Sequence, residues 1–148
     1  MTFAPDHPGA WKGNGATVGS SAAGHTRDCC ALAARAASSK LGRDTLVLGV
    51  EKLLGLTDAF VITSGANPRQ VHTISDEVER QLKLAGAGGP LSVEGLDDAR
   101  WVLMDYGDFV VHVFVDEARL FYDLEHLWGD APRWAWDEKA GVLVGASD

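Results

Sequence analysis

Apolar residues first take up a helical period at Thr26. Cys30, Ala33, Ala34, Ala37 and Leu41 recur on one face, Thr26 suits an N-cap, Asp28 suits the first turn, and Gly42 supplies a stop. Asp44–Val50 and the unbroken apolar run Ala59–Thr63 read as strands, the second buried on both faces. A second helix follows. Asn67 caps it, Pro68 fits the first helical position, and Gln70 completes a capping-box pattern. Its inner stripe is Val71, Ile74, Val78, Leu82 and Ala85, and Gly86–Pro90 end it. Leu91–Val93 is a short strand, and Trp101–Tyr106 pairs with Phe109–Val115 as a hairpin through Gly107-Asp108. Asp116 then caps a last helix with Leu120, Leu124 and Leu127 inward, stopped by Gly129 and Pro132.

Helices alternating with apolar strands predict an α/β fold, a mixed sheet of about five strands flanked by helices. The expected organisation is a disordered leader over residues 1–25, rich in Gly, Ala, Ser and Pro, then one domain over 26–132. The tail 133–148 has tryptophans but no period, and its structure stays open. Gly13-Asn14-Gly15 lacks the strand before it that a phosphate-cradling loop needs. The start of the chain also fails as a signal peptide, so a cytoplasmic protein is expected.

Charge sharpens this picture. Of 21 carboxylates, ten lie between Glu94 and Asp130 against only Arg100 and Arg119, so that one segment holds the whole net charge of −8. Such a segment repels phosphate backbones and attracts a basic protein surface, although from charge alone ordinary solubilising charge is the better explanation.

Catalytic patterns are missing. Adjacent Cys29 and Cys30 read as small apolar residues of a helix; no metal and no cofactor are expected. His72 falls on an outer helix face, His112 in an apolar strand as a core or interface residue, and His126 has no ligand partner at i+4. Metal-dependent nucleotidyl transfer needs two carboxylates at i, i+2 on one strand. Asp105 and Asp108 instead stand three apart across a turn, although Ser64-Gly65 suits the glycine-serine loop of such enzymes. A nucleotidyltransferase-fold enzyme with an atypical metal site is therefore the alternative reading, and a protein that is not an enzyme the first.

Several blocks carry a resemblance: Asp58–Gly65, Arg69-Gln70-Val71, Val93–Phe114 with its Trp-x-x-x-Asp-Tyr-Gly-Asp and Val-His-Val-Phe, and Ala118–Asp130 with Tyr-x-Leu-Glu-x-Leu-Trp. Together they resemble the Iojap, or ribosomal silencing factor (RsfS), family over roughly residues 26–132. The resemblance implies a nucleotidyltransferase-like fold without the catalytic set. It further implies binding to ribosomal protein fourteen of the large subunit, exclusion of the small subunit, and repression of translation when nutrients are scarce. Organellar relatives act in large-subunit assembly, and members are commonly homodimers when free.

Under that resemblance the partner-binding residues are Trp101, Asp105, Tyr106, Asp108 and Glu94, with Ser64 and Arg69 as weaker candidates. Trp101 is expected to anchor, because a desolvated aromatic is worth about 2 kcal/mol or more where an exposed ion pair contributes about 0.2–1 kcal/mol. On spacing alone Trp101 reads equally as a core tryptophan, and Tyr106 as a ring supporting its turn. Tyr122, Leu124 and Trp128 read as core.

Overall fold

The structure is a computed structural model that describes residues 22–51, 55–137 and 142–146. Along the chain run α1 (Ala22–Ser39), β1 (Arg43–Gly49), β2 (Ala59–Gly65), α2 (Pro68–Leu84), β3 (Ser92–Glu94), β4 (Trp101–Asp105), β5 (Phe109–Val115), α3 (Asp116–Tyr122), α4 (Leu124–Leu127), β6 (Arg133–Asp137) and β7 (Val142–Ala146). The strands form one mixed sheet in the order β3-β4-β5-β2-β1-β6-β7. Only β2 and β5 pair in parallel among these strands, with Ala59 opposite Phe109 and Ser64 opposite Phe114. No described helix is long and apolar enough to cross a membrane.

Every residue of β2, β4 and β5 is buried, as unbroken apolar runs require. α1 and α2 cover one face of the sheet, and α3 packs against β5 and β2. Cys29 and Cys30 are free thiols buried in α1, as the small-apolar reading expects. Asn67 caps α2 as expected, Gln70 N donating to Asn67 Oδ1 at 2.9 Å, while the return bond of the box reaches one residue further back, Gln70 Oε1 accepting from Ala66 N at 2.6 Å. Gln70 Nε2 then donates to the carbonyls of Lys40 and Leu41, tying the start of α2 to the end of α1.

The structure corrects four local readings and supplies one that the sequence leaves open. α1 starts at Ala22, so residues 22–25 are helical and Thr26 is a buried helix residue, not a cap. Leu41 is 76 % exposed, outside the stripe assigned to it. Ala85 is the exposed C-cap of α2. The last helix is two short ones, because Asp123 takes a left-handed conformation (φ 49°) between them. The break turns Leu124 inward and leaves Leu120 and Leu127 exposed. Finally, the tail adds β6 and β7 to the five strands expected. Trp134 lies so close over β1 that a Cβ on Gly49 would come within 2.6 Å of its indole nitrogen. The remainder of the expected leader, residues 1–21, lies outside the described residues.

Candidate protein-binding surface

α3 leaves β5 directly at Val115, with Asp116 and Glu117 in the first turn where the helix dipole favours negative charge. A helix turns about 100° per residue, so Ala118, Arg119 and Tyr122 face the sheet while Leu120 and Phe121 face away. Ala118 and Arg119 are buried, whereas Leu120 and Phe121 are 82 % and 75 % exposed. Beneath them, Trp101 stacks on Phe114 at 4.7 Å and meets Tyr122 at 4.6 Å, and Tyr122 meets Phe121 edge-on at 5.0 Å. The Trp101 N–H donates to His112 Nδ1 at 3.1 Å, which makes that histidine a hydrogen-bonded core residue.

Arg119 holds this end together. Its guanidinium donates to Glu125 Oε2 (3.1 Å), Ser64 Oγ (2.9 Å), and the carbonyls of Arg43 (3.1 Å) and Asp44 (2.6 Å). Those two carbonyls belong to an irregularity of β1 where Asp44 is left-handed (φ 51°). Arg43 forms an ion pair with Asp116, and His126 lies 3.3 Å from Asp123. Val115 N donates to Arg100 O at 2.9 Å, which ties the start of β4 to the start of α3. The product is a small apolar platform, Leu120 and Phe121, flanked along α3 by Asp116, Glu117 and Asp123, with Arg43 and Arg133 bordering the cleft beside Leu120.

This differs from the arrangement expected. Trp101 is 4 % exposed and sealed under α3, so its indole supports the surface and cannot itself anchor a partner. Asp105 (5 %) and Ser64 (2 %) are likewise buried, each committed to an internal bond: Asp105 Oδ1 accepts from Gly107 N, and Ser64 Oγ from Arg119. Register also separates the set. Trp101 pairs with Phe114 and Asp105 with Val110, four residues or about 13 Å apart along the strands. Tyr106 and Asp108 therefore sit at the end opposite Trp101 and Ser64. Both are half-buried; Tyr106 stacks flat on Phe109 at 4.9 Å, the turn-supporting role. Half-buried Glu94 lies between the two ends on the sheet edge, and Arg69 is exposed in the first turn of α2. Sequence reading missed Leu120 and Phe121. The available signal was their adjacency beside Ala118 and Tyr122, since one short turn cannot bury all four.

The far end has chemistry of its own. Burial pushes the Asp58 carboxyl up to about 6, helped by a hydrogen bond with Glu51 and by the charges of Glu51 and Asp108. A carboxyl raised above its ordinary 3.8 keeps its proton in the fold, so its contribution is complete below about pH 3.8 and is lost as pH rises through about 6. Asp58→Asn should flatten stability between pH 4 and 6 relative to the natural chain, read as urea midpoints; parallel curves for the two proteins would contradict this. Among the described residues no group of three or more His, Cys, Asp or Glu is placed to hold a metal ion.

The family described as "Ribosomal silencing factor during starvation" matches residues 23–145. The chain belongs to the ribosomal silencing factor family. It is 44 % identical over 101 residues to ribosomal silencing factor RsfS of Bacillus subtilis, covering 68 % of this chain and 85 % of that one. A crystal structure of a Chromobacterium violaceum protein superposes with a TM-score of 0.66 at 36 % identity, covering 69 % of this chain and 84 % of that one. The mouse "Mitochondrial assembly of ribosomal large subunit protein 1" is 35 % identical over 88 residues, 58 % of this chain and 39 % of that protein. The mixed α/β fold is thus that of the ribosomal silencing factors, whose match takes in β6 and most of β7.

Proposed function

We propose that this ribosomal silencing factor binds ribosomal protein fourteen of the large subunit and, by occupying that face, keeps the small subunit from joining. Translation then falls under nutrient limitation without any chemistry by the repressor. The observation that carries this reading is the exposed Leu120–Phe121 pair flanked on α3 by the carboxylates Asp116, Glu117 and Asp123. Ribosomal proteins are basic, so these carboxylates steer approach while the apolar pair supplies affinity. The free chain is read as a cytoplasmic homodimer, as the family resemblance implies. The mouse relative's name favours a second role, in large-subunit assembly.

The enzyme alternative loses support from the geometry. Ser64 and the Asp105–Asp108 pair lie at opposite ends of the sheet, and the Ser64 hydroxyl is buried against Arg119. The test is sedimentation of the purified chain with isolated large subunits, with and without protein fourteen. Co-sedimentation should require that protein and should weaken as salt screens the α3 carboxylates. Equal recovery with subunits lacking protein fourteen would overturn the assignment.

A further inference from the structure

Left-handed backbone costs an ordinary L-residue about 1 kcal/mol, and helices that end this way usually place glycine there. α1 ends in this manner with a leucine instead. Leu41 has φ 65°, its N–H donates to Ser38 O at 3.0 Å, and Gly42 N donates to Ala37 O at 2.8 Å, the paired bonds of a Schellman motif. Glycine occupies the next position for a separate reason: a Cβ on Gly42 would meet Thr63 Oγ1 at 2.6 Å and Ala37 O at 2.8 Å. The Leu41 side chain projects into solvent, 76 % exposed, so the fold gains little from it. Unrelieved local strain at an exposed position points to use outside the fold.

Its surroundings define that use. Two open clefts flank Leu41. One, about 490 Å³, is lined by Ser39, Lys40, Asn67, Arg69, Gln70 and Thr73 as well as Leu41. The other, about 640 Å³, is lined by Arg35, Ser38, Ser39, Gly42 and Arg43 beside the same leucine. No described carboxylate lines either. Arg35, Lys40 and Arg69 are exposed and make no ion pair among the described residues. Glu77, which acts on Lys40 at longer range, is already bound by Arg80 and Gln81. In a chain of net charge −8, this corner gathers three such cations around neutral hydroxyl and amide groups.

We infer that the junction of α1, β1 and α2 is a second binding surface, which grips the sugar-phosphate backbone of RNA. Two clefts on either side of a projecting leucine suit an extended polyanion better than one phosphate. Lys40 and Arg69 neutralise phosphates on one side and Arg35 on the other, while Leu41 packs on the riboses between them. Gln70, bonded to the Lys40 and Leu41 carbonyls, holds the corner rigid. Arg43 also pairs with Asp116 at the edge of the α3 platform, so the two surfaces adjoin. A protein whose target is a ribosomal protein would meet RNA beside it, yet this surface stands on its own residues and does not depend on that partner.

The test uses the full chain and a fluorescein-labelled duplex RNA of about 20 base pairs, followed by anisotropy at about 50 and about 200 mM salt. Binding should be present at low salt and fall steeply at the higher. R35Q/K40Q/R69Q should weaken it at least tenfold and lower the slope of log affinity against log salt by almost one for each phosphate no longer neutralised. Leu41→Gly is the discriminating variant: it should melt at a higher temperature and bind RNA several-fold more weakly. Phe121→Asp should leave RNA binding unchanged, which separates this surface from the proposed protein contact. Absence of RNA binding, unchanged affinity in the triple variant, or equal binding of poly-glutamate would overturn the inference.

Discussion

Phe121→Asp should reduce binding to large ribosomal subunits by about 30-fold or more while leaving the unfolding midpoint nearly unchanged. A central aromatic at an interface is commonly worth about 2 kcal/mol or more, and about 1.4 kcal/mol is tenfold in affinity. Placing a carboxylate there also opposes desolvation. Because the ring is 75 % exposed, its removal leaves no cavity in the fold, and exposed substitutions usually stay within about 0.5 kcal/mol. Glu117→Gln, beside the apolar pair, should cost threefold or less, because exposed charge pairs contribute so little. Trp101→Ala must be read differently. It removes a buried ring stacked between Phe114 and Tyr122 and should destabilise the protein by about 3–5 kcal/mol, so any weakening of binding there reflects the support. Sedimentation and urea denaturation of the three variants distinguish these effects. Full binding by Phe121→Asp would show that the α3 platform is not the contact.

Arg119→Ala should cost about 3–5 kcal/mol of folding stability, since it removes one partner of a buried charged network. The guanidinium satisfies Glu125, Ser64 and two β1 carbonyls at once, and its side chain is only 8 % exposed. Without it the left-handed turn at Asp44 is no longer tied to α3 through its own carbonyl. Arg119→Lys should recover a part, because a point charge cannot reproduce the planar fork that reaches acceptors on both sides. Urea midpoints with unchanged slopes are the measurement. A decrease below about 1 kcal/mol in Arg119→Ala would show that the network is not what holds α3 to β1.

Much of the fold could be read from the chain because its cues are local. Asn67 caps α2 as expected, since the cap and its partner Gln70 lie three residues apart. Continuous apolar runs identified β2 and β5, because burial on both faces leaves no polar positions. The tail was illegible for the opposite reason. β6 is defined by pairing with β1 far earlier in the chain, Val47 opposite Trp134, and nothing near it in sequence announces that partner. α3 misled because Leu120 and Leu124 keep helical spacing, while one left-handed residue, Asp123, resets the phase between them.

By itself the chain determined the α/β class, the family through its short motifs, and the concentration of acid between Glu94 and Asp130. Those are properties of composition and local order. Only the tertiary structure decided which motif residues can touch another molecule. It buried Trp101, Asp105 and Ser64 and turned Leu120 and Phe121 outward, and it brought Arg35, Lys40 and Arg69 from separate parts of the chain to one corner. Exposure and proximity depend on how elements distant in sequence pack, and no local pattern encodes that.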